Sequence, residues 1–174
     1  MVVRASQVYL DANFLVALSR PTHIWHTNAK ALLTSLQERH TKLNLSALAF
    51  NEAIYQLLRL AQRDTENPDT LEDSEPTPLF NTTSDTATAS SNRHYASVLG
   101  RLDNTVLSLP DLQFFEPPNA KLHHRTLLTI VEFGLDPTDA FHYEAAHRLN
   151  CPIVTNDVQF QRIPDPNLTV VTFF

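Results

Sequence analysis

Residues 134–160, G-L-D-P-T-D-A-F-H-Y-E-A-A-H-R-L-N-C-P-I-V-T-N-D-V-Q-F, decide how the chain is read. Asp136-Pro137 opens a helix: a short oxygen acceptor at the N-cap, then a residue whose missing N–H costs nothing in the first turn. Helical patterning runs to about Leu149. A short turn follows, and Pro152-Ile153-Val154-Thr155 is the apolar run of a buried strand. The helix start carries Asp139 and the strand leads into Asp157, so two carboxylates reach positions that can lie side by side. Aspartates facing one another at element ends are the oxygen donors a hard divalent cation takes.

The same alternation extends to the rest of the chain. Val8-Tyr9-Leu10 is an apolar run ending at Asp11, which predicts a central strand. Asn13 suits the cap of a helix through Leu18, and Ser19-Arg20-Pro21-Thr22 breaks it. Thr22 can cap a longer helix from His23 to about Arg39. Leu43-Asn44-Leu45 predicts a second strand, after which Ser46 caps a helix from Ala47 to about Gln62. Helical patterning returns from about His94 to Val106, and Leu112-Gln113-Phe114-Phe115 is a third strand. Asn119 caps a helix that Gly134 stops after Phe133, and Leu168–Phe173 is the fifth strand.

Short apolar strands alternating with helices predict an α/β fold in one domain spanning 1–174. The expected architecture is a three-layer α/β/α sandwich around a central, mainly parallel five-stranded sheet. In such sheets the functional crevice lies beyond the carboxyl ends of the strands. Asp11 and Asp157 both fall there. A fourth acid, Glu52, interrupts the apolar run A-L-A-F-N-E-A-I-Y-Q-L-L, where an unpaired carboxylate is costly.

Charge is unevenly distributed. The chain carries 19 acids, 13 Lys and Arg, and a net charge of −6. Residues 64–92 hold seven of those acids and none of the bases, leaving 12 acids against 13 bases elsewhere. That Thr-, Ser-, Asp- and Glu-rich stretch has too few large apolar residues to offset its ordering entropy, so a flexible acidic insertion is expected at about 64–92. The bulk charge therefore does not exclude a nucleic-acid partner. One cysteine, Cys151, excludes a disulfide framework and a cysteine-rich zinc site. No apolar run approaches the ~18–20 residues of a membrane span, and the first residues lack the plan of a signal peptide. A cytoplasmic setting is expected.

Each acid also has a purely structural reading. Asp139 falls at the third position of its helix, where an acid reciprocates the cap and suits the helix dipole. Asp11 can cap the first helix, Asp157 can belong to a turn, and Glu52 can lie on a solvent edge. Three acids on the expected functional rim, with a fourth interrupting an apolar helix, is the combination that those separate readings do not explain.

V-Y-L-D-A-N-F-L-V-A-L, H-I-W-H-T-N-A-K-A-L-L, L-N-L-S-A-L-A-F-N-E-A-I-Y-Q-L-L-R, L-D-P-T-D-A-F-H-Y-E-A-A and I-V-T-N-D-V-Q-F occur in an order and spacing that resembles the PIN-domain family. Within that family the chain resembles in particular the single-domain VapC-type toxin ribonucleases of toxin–antitoxin pairs. The resemblance covers residues 7–173 apart from the acidic insertion, which accounts for much of the 87-residue gap between Glu52 and Asp139. The resemblance implies a metal-dependent endoribonuclease whose acidic quartet falls on Asp11, Glu52, Asp139 and Asp157. Asn13, Thr155 and Asn156 match the polar positions beside the first and last acids. It implies Mg²⁺ or Mn²⁺ as cofactor, with Asp11, Asp139 and Asp157 as ligands and Glu52 as a ligand or a holder of metal-bound water. The implied partners are an RNA substrate, a small antitoxin protein and a second copy of the chain. Two alternatives stay open: a non-catalytic module of the same fold that binds RNA or protein, and a solitary housekeeping nuclease.

Other constellations fall away. His142 and His147 are five residues apart, about 140° around a helix, whereas zinc-protease ligands sit four apart. With two glycines the chain has no Gly-rich phosphate loop. Asp11-Ala12-Asn13 lacks the second acid of an aspartate-nucleophile phosphatase loop. His123-His124-Arg125 reads as a solvated helical face, and Trp25 as packing.

Overall fold

The computed structural model describes residues 5–65, 85–115 and 120–174, with side chains over 5–64, 95–115 and 122–174. The strands are β1 (Gln7–Leu10), β2 (Lys42–Ser46), β3 (Leu112–Phe115), β4 (Ile153–Val154) and β5 (Val170–Val171). They form one sheet in the order β3-β2-β1-β4-β5, and every pairing is parallel. The helices are α1 (Ala12–Ser19), α2 (His26–Glu38), α3 (Ala47–Thr65), α4 (Asp85–Leu107), α5 (Ala120–Phe133), α6 (Pro137–Leu149) and α7 (Val158–Gln161).

The two-residue period of the strands divides the interior into two cores. Val8, Leu10, Leu43, Leu45, Val154 and Val171 face one way and pack with apolar residues of α1 to α4. Tyr9 and Ile153 face the other way, against Leu122 of α5 and Ala140, Phe141 and Ala146 of α6. The expected sandwich is therefore present, with a sheet parallel throughout. Among the described residues no helix is long and apolar enough to cross a membrane.

Strand order fixes where a site can form. From the central β1 the chain moves outward through β2 and β3, then returns to the other flank of β1 with β4 and β5. The reversal leaves a crevice between the ends of β1 and β4, the place where parallel sheets bind ligands. Asp11 follows β1, Ser46 ends β2 and Thr155 follows β4.

Several element boundaries differ from expectation. The cap of α1 is Asp11, whose carboxylate accepts from the Ala12 N–H; Asn13 lies inside the helix. Helix α2 starts at His26 rather than His23, with Trp25 at its N-cap and no side-chain cap bond. Thr22 does not cap it, because His23 and His26 N–H groups close turns onto Arg20 and His23 carbonyls. Helix α4 begins at Asp85, so the last eight residues of the expected insertion are helical; residues 66–84 lie outside the described residues. β4 and β5 are two residues each, shorter than their apolar runs. The Ser46 cap holds, its Oγ accepting the Ala49 N–H at 3.0 Å.

Candidate metal centre

Asp11 is 3% exposed and fully engaged. Its Oδ1 accepts from the Ala12 N–H at 2.6 Å, and its Oδ2 from the Thr155 hydroxyl at 2.6 Å and from Asn13 Nδ2 at 3.2 Å. Three donors fix the carboxylate at the head of α1. Thr155, itself fully buried, also accepts the Asp157 N–H at 2.9 Å. One hydroxyl thus ties the first acid to the backbone that carries the last. Asp157 caps α7, its Oδ1 accepting the Gln159 N–H at 2.7 Å.

Glu52 reaches the crevice from the second turn of α3, with its side chain 31% exposed. Gln56, one turn further on, donates to Oε1 at 3.1 Å, and Oε2 lies 3.0 Å from His142 Nε2. His142 was not anticipated as a site residue. It is 1% exposed, stands 3.6 Å from Asp11 Oδ1, and bonds through Nδ1 to the Tyr9 hydroxyl at 2.8 Å. That hydroxyl continues to Ser46 Oγ at 2.7 Å. Among the described residues Asp11, Glu52 and His142 offer three ligand atoms within 4.8 Å of one another. The signal was in the sequence: His142 lies three residues after Asp139 and so shares its helix face.

Asp139 enters from the start of α6. Asp136 caps that helix, accepting the Thr138 and Asp139 N–H groups at 2.8 and 2.9 Å, which sets the first turn and with it the direction of Asp139. Asp139 and Asp157 lie outside the compact trio, yet Asp139 feels both Asp11 and Asp157. Of the polar residues expected to support the acids, Asn13 and Thr155 contact Asp11 directly. Asn156 turns away, its Oδ1 accepting the Phe173 N–H at 2.8 Å.

The electrostatics follow from crowding negative charge in a low-dielectric crevice. Asp139 is pushed up to about 7 by burial, then by the charges of Asp136, Asp157 and Asp11. Asp11 is also raised, by burial first and then Glu52, although His142 and the Thr155 bond oppose the rise. For His142 burial alone would lower basicity. The Glu52 bond and the charges of Asp11, Glu52 and Asp139 more than offset it, so the imidazole is held above its ordinary value. The ring's raised basicity is the counterpart of the two carboxylates that flank it. The carboxylate oxygens here are the kind of donor a divalent cation takes.

The PIN domain family matches this chain over residues 8–166. No curated protein sequence matches it significantly. Among solved structures, VapBC2 of Rickettsia felis bound to a promoter DNA fragment shares 16% identity with a TM-score of 0.61, covering 97% of this chain and 99% of that one. The sarcin-ricin loop cleaving toxin VapC20 of Mycobacterium tuberculosis shares 12% identity with a TM-score of 0.58, over 93% and 98%. DNA-bound VapBC of Salmonella typhimurium shares 17% identity with a TM-score of 0.53, over 97% and 98%. At these identities the likeness is one of fold.

Proposed function

The chain belongs to the PIN domain family, and on that premise we propose that it is a divalent-metal-dependent endoribonuclease, the toxin of a toxin–antitoxin pair. The observation that carries the proposal is the convergence of Asp11, Glu52 and His142 on the β1–β4 crevice, with Asp139 beside them raised to about 7 by burial and then by the charges of Asp136, Asp157 and Asp11. Mutual repulsion of that kind is what a bound cation relieves.

Asp11, Asp139 and Asp157 would hold the ion directly, with Glu52 as a further ligand or as the acceptor that orients a water. When bound, Mg²⁺ or Mn²⁺ supplies a water of lowered pKa and offsets charge developing on the phosphate. The chain's own residues position and proton-balance the site. Thr155 and the head of α1 hold the Asp11 carboxylate in one orientation. His142 stands beside both Glu52 and Asp11, where it can take a proton from, or return one to, a group held by those acids. Tyr9 and Ser46 fix the ring from behind. Hydrolysis assisted this way leaves a 5′-phosphate and a 3′-hydroxyl.

The RNA substrate and the antitoxin partner are supported by the similar structures: one is a sarcin-ricin loop cleaving toxin, and others are VapBC toxin–antitoxin assemblies bound to DNA. A homodimer is proposed with them. The test compares wild-type and Asp139→Asn protein on defined RNAs with Mn²⁺ or Mg²⁺. We expect wild-type cleavage with 5′-phosphate ends, reduced about 10²–10³-fold in the variant, the scale of losing one electrostatic stabiliser. Equal activity in both would sink the acidic site. No cleavage by wild-type in either metal would favour a non-catalytic binding module.

A further inference from the structure

Beside the acids lies a groove of about 410 Å³ that the metal centre does not use. Asn13 and Asn156 form the wall shared with the crevice, and His23, Trp25, Arg59 and Arg63 line the remainder. We propose that this groove holds one unpaired nucleotide of the RNA, adjoining the phosphodiester that is cut. The proposal rests on the nuclease reading only for what happens next door.

The first support is the stripe along α3. Glu52, Gln56, Arg59 and Arg63 succeed one another at helical spacing and share a face. Over those residues the helix rises about 16 Å, passing from an acid in the metal centre, through the glutamine bonded to it, to two guanidiniums. Among the described residues neither Arg59 nor Arg63 is paired with a carboxylate; the neighbouring Asp64 is engaged by Arg20 at 2.8 Å. Arg59 instead lies against the Tyr55 ring, 5.7 Å from its centroid, which limits its freedom and leaves its donors for another acceptor. A strand of phosphates running from the acids would meet repulsion at one end, relieved by metal, and attraction at the other.

The second support is independent. Asn156 Nδ2 is buried and has no hydrogen-bond partner. Its orientation is not arbitrary, because Oδ1 accepts the Phe173 N–H. Asn156 lines the groove while its amide donor stays buried without an acceptor, and buried donors without acceptors are rare and costly. His23 adds a further donor: its Nδ1 accepts the Trp25 N–H at 3.2 Å, which leaves the Nε2 proton for a ligand. Donors predominate among these groups, which suits an anionic, acceptor-rich occupant.

Size and shape select the class of nucleic acid. The volume falls near the low end of the ~300–1,000 Å³ of small-ligand pockets, enough for one nucleotide and too small for a duplex. The half-buried indole of Trp25, with a flat face of the kind a splayed base stacks on, and the exposed aliphatic Ile24 flank it. A single-stranded or looped RNA with an extruded base is the substrate this geometry selects.

Trp25 is the sole tryptophan, so occupancy can be read directly. Full-length protein is titrated in EDTA with a short single-stranded oligoribonucleotide, and Trp25 fluorescence is followed at several salt concentrations. Quenching is expected with the single strand and not with the same sequence in a duplex. Arg59→Gln and Arg63→Gln should each weaken binding about tenfold and reduce the salt slope by about 0.7. Asn156→Asp preserves the bond to Phe173 but replaces the orphan donor with an anionic oxygen, and should weaken binding at least as much. Lys42→Gln, at the opposite end of the sheet, removes the same charge as a control. Wild-type affinity, slope and quenching in all three groove variants would overturn the proposal and leave the groove to a protein partner. Weakened variants together with a wild-type protein that never cleaves would uphold the groove and overturn the nuclease. Cleavage by wild-type with KM unchanged in the variants would do the reverse.

Discussion

Asp11 serves two structures with one carboxylate: it caps α1 and anchors the crevice. The two duties separate under substitution. Asn caps helices about as well as Asp, so Asp11→Asn should fold with near wild-type stability while losing the metal response. Asp11→Ala should lose about 1 kcal/mol for the cap and a further ~1–3 kcal/mol for the buried Thr155 donor left unpaired, measured by urea denaturation. Asp139 gives a pH-dependent prediction. Its carboxyl titrates at about 7 in the folded protein, against ~3.9 in an unfolded chain. The folded state binds that proton more tightly, so the contribution is complete below pH ~4 and is lost as pH rises through 7. Without divalent ions, Asp139→Asn should therefore match wild-type near pH 4 and melt ~2–4 °C higher at pH 8, the equivalent of about 1 kcal/mol at this half-buried position. Equal melting temperatures at pH 8 would contradict it. The acids were legible in sequence because each stands at an element end or interrupts an apolar face. His142 was passed over although its place three residues after Asp139 put it on the same helix face, because only the sheet brings Glu52 and Asp11 against it.

At the level of elements, local chemistry announced some of the helix ends. Asp136 and Pro137 start α6, and Asn150 ends it in the left-handed region at φ 48°. Gly134, at φ +66°, closes α5 with its N–H on the Ile130 carbonyl. Gly134→Ala should cost ~1 kcal/mol, since an alanine there is strained whatever the space around it. Tertiary demands set the other boundaries. Helix α2 starts late because the turn after Pro21 is satisfied by its own carbonyls, and α7 exists because Asp157 caps it, which a four-residue apolar pattern does not reveal. Pairing between α5 and α6 includes a buried acid with no counterpart in sequence patterning: Glu144, 4% exposed, accepts from the Thr129 hydroxyl, with Arg125 Nε 3.6 Å away. Thr129→Val keeps the shape and removes the donor. A loss of ~1–3 kcal/mol is expected from thermal or chemical unfolding; no loss would mean Arg125 alone satisfies Glu144.

For the whole molecule, the alternation of short apolar runs with helices made the parallel sandwich readable, since only buried strands covered on both faces are apolar throughout. Strand order was less accessible: no local pattern says that β4 pairs with β1 rather than β3. The acids at the ends of β1 and β4 hinted at it, and the order β3-β2-β1-β4-β5 explains why they converge. Because the crevice is built from both flanks of the sheet, cation binding should stabilise the folded state as a unit. With Mn²⁺ at a hundredfold excess over Kd the gain is ~2.7 kcal/mol, about 5–10 °C in Tm for a chain of this size. A calorimetric scan should show that shift in wild-type and lose it in Asp11→Asn.

The pairing of β1 with β4 also has a consequence in time. The Thr155–Asp11 bond that completes the crevice joins residues 144 apart, and at ~5–20 residues per second of synthesis its two halves are born roughly 7–30 s apart. Until β4 is made and docks, Asp11 lacks its hydroxyl donor, and Asp157 is absent from the crevice. On the nuclease reading proposed above, the protein would thus remain harmless to the message and ribosome producing it until its last strands had been translated.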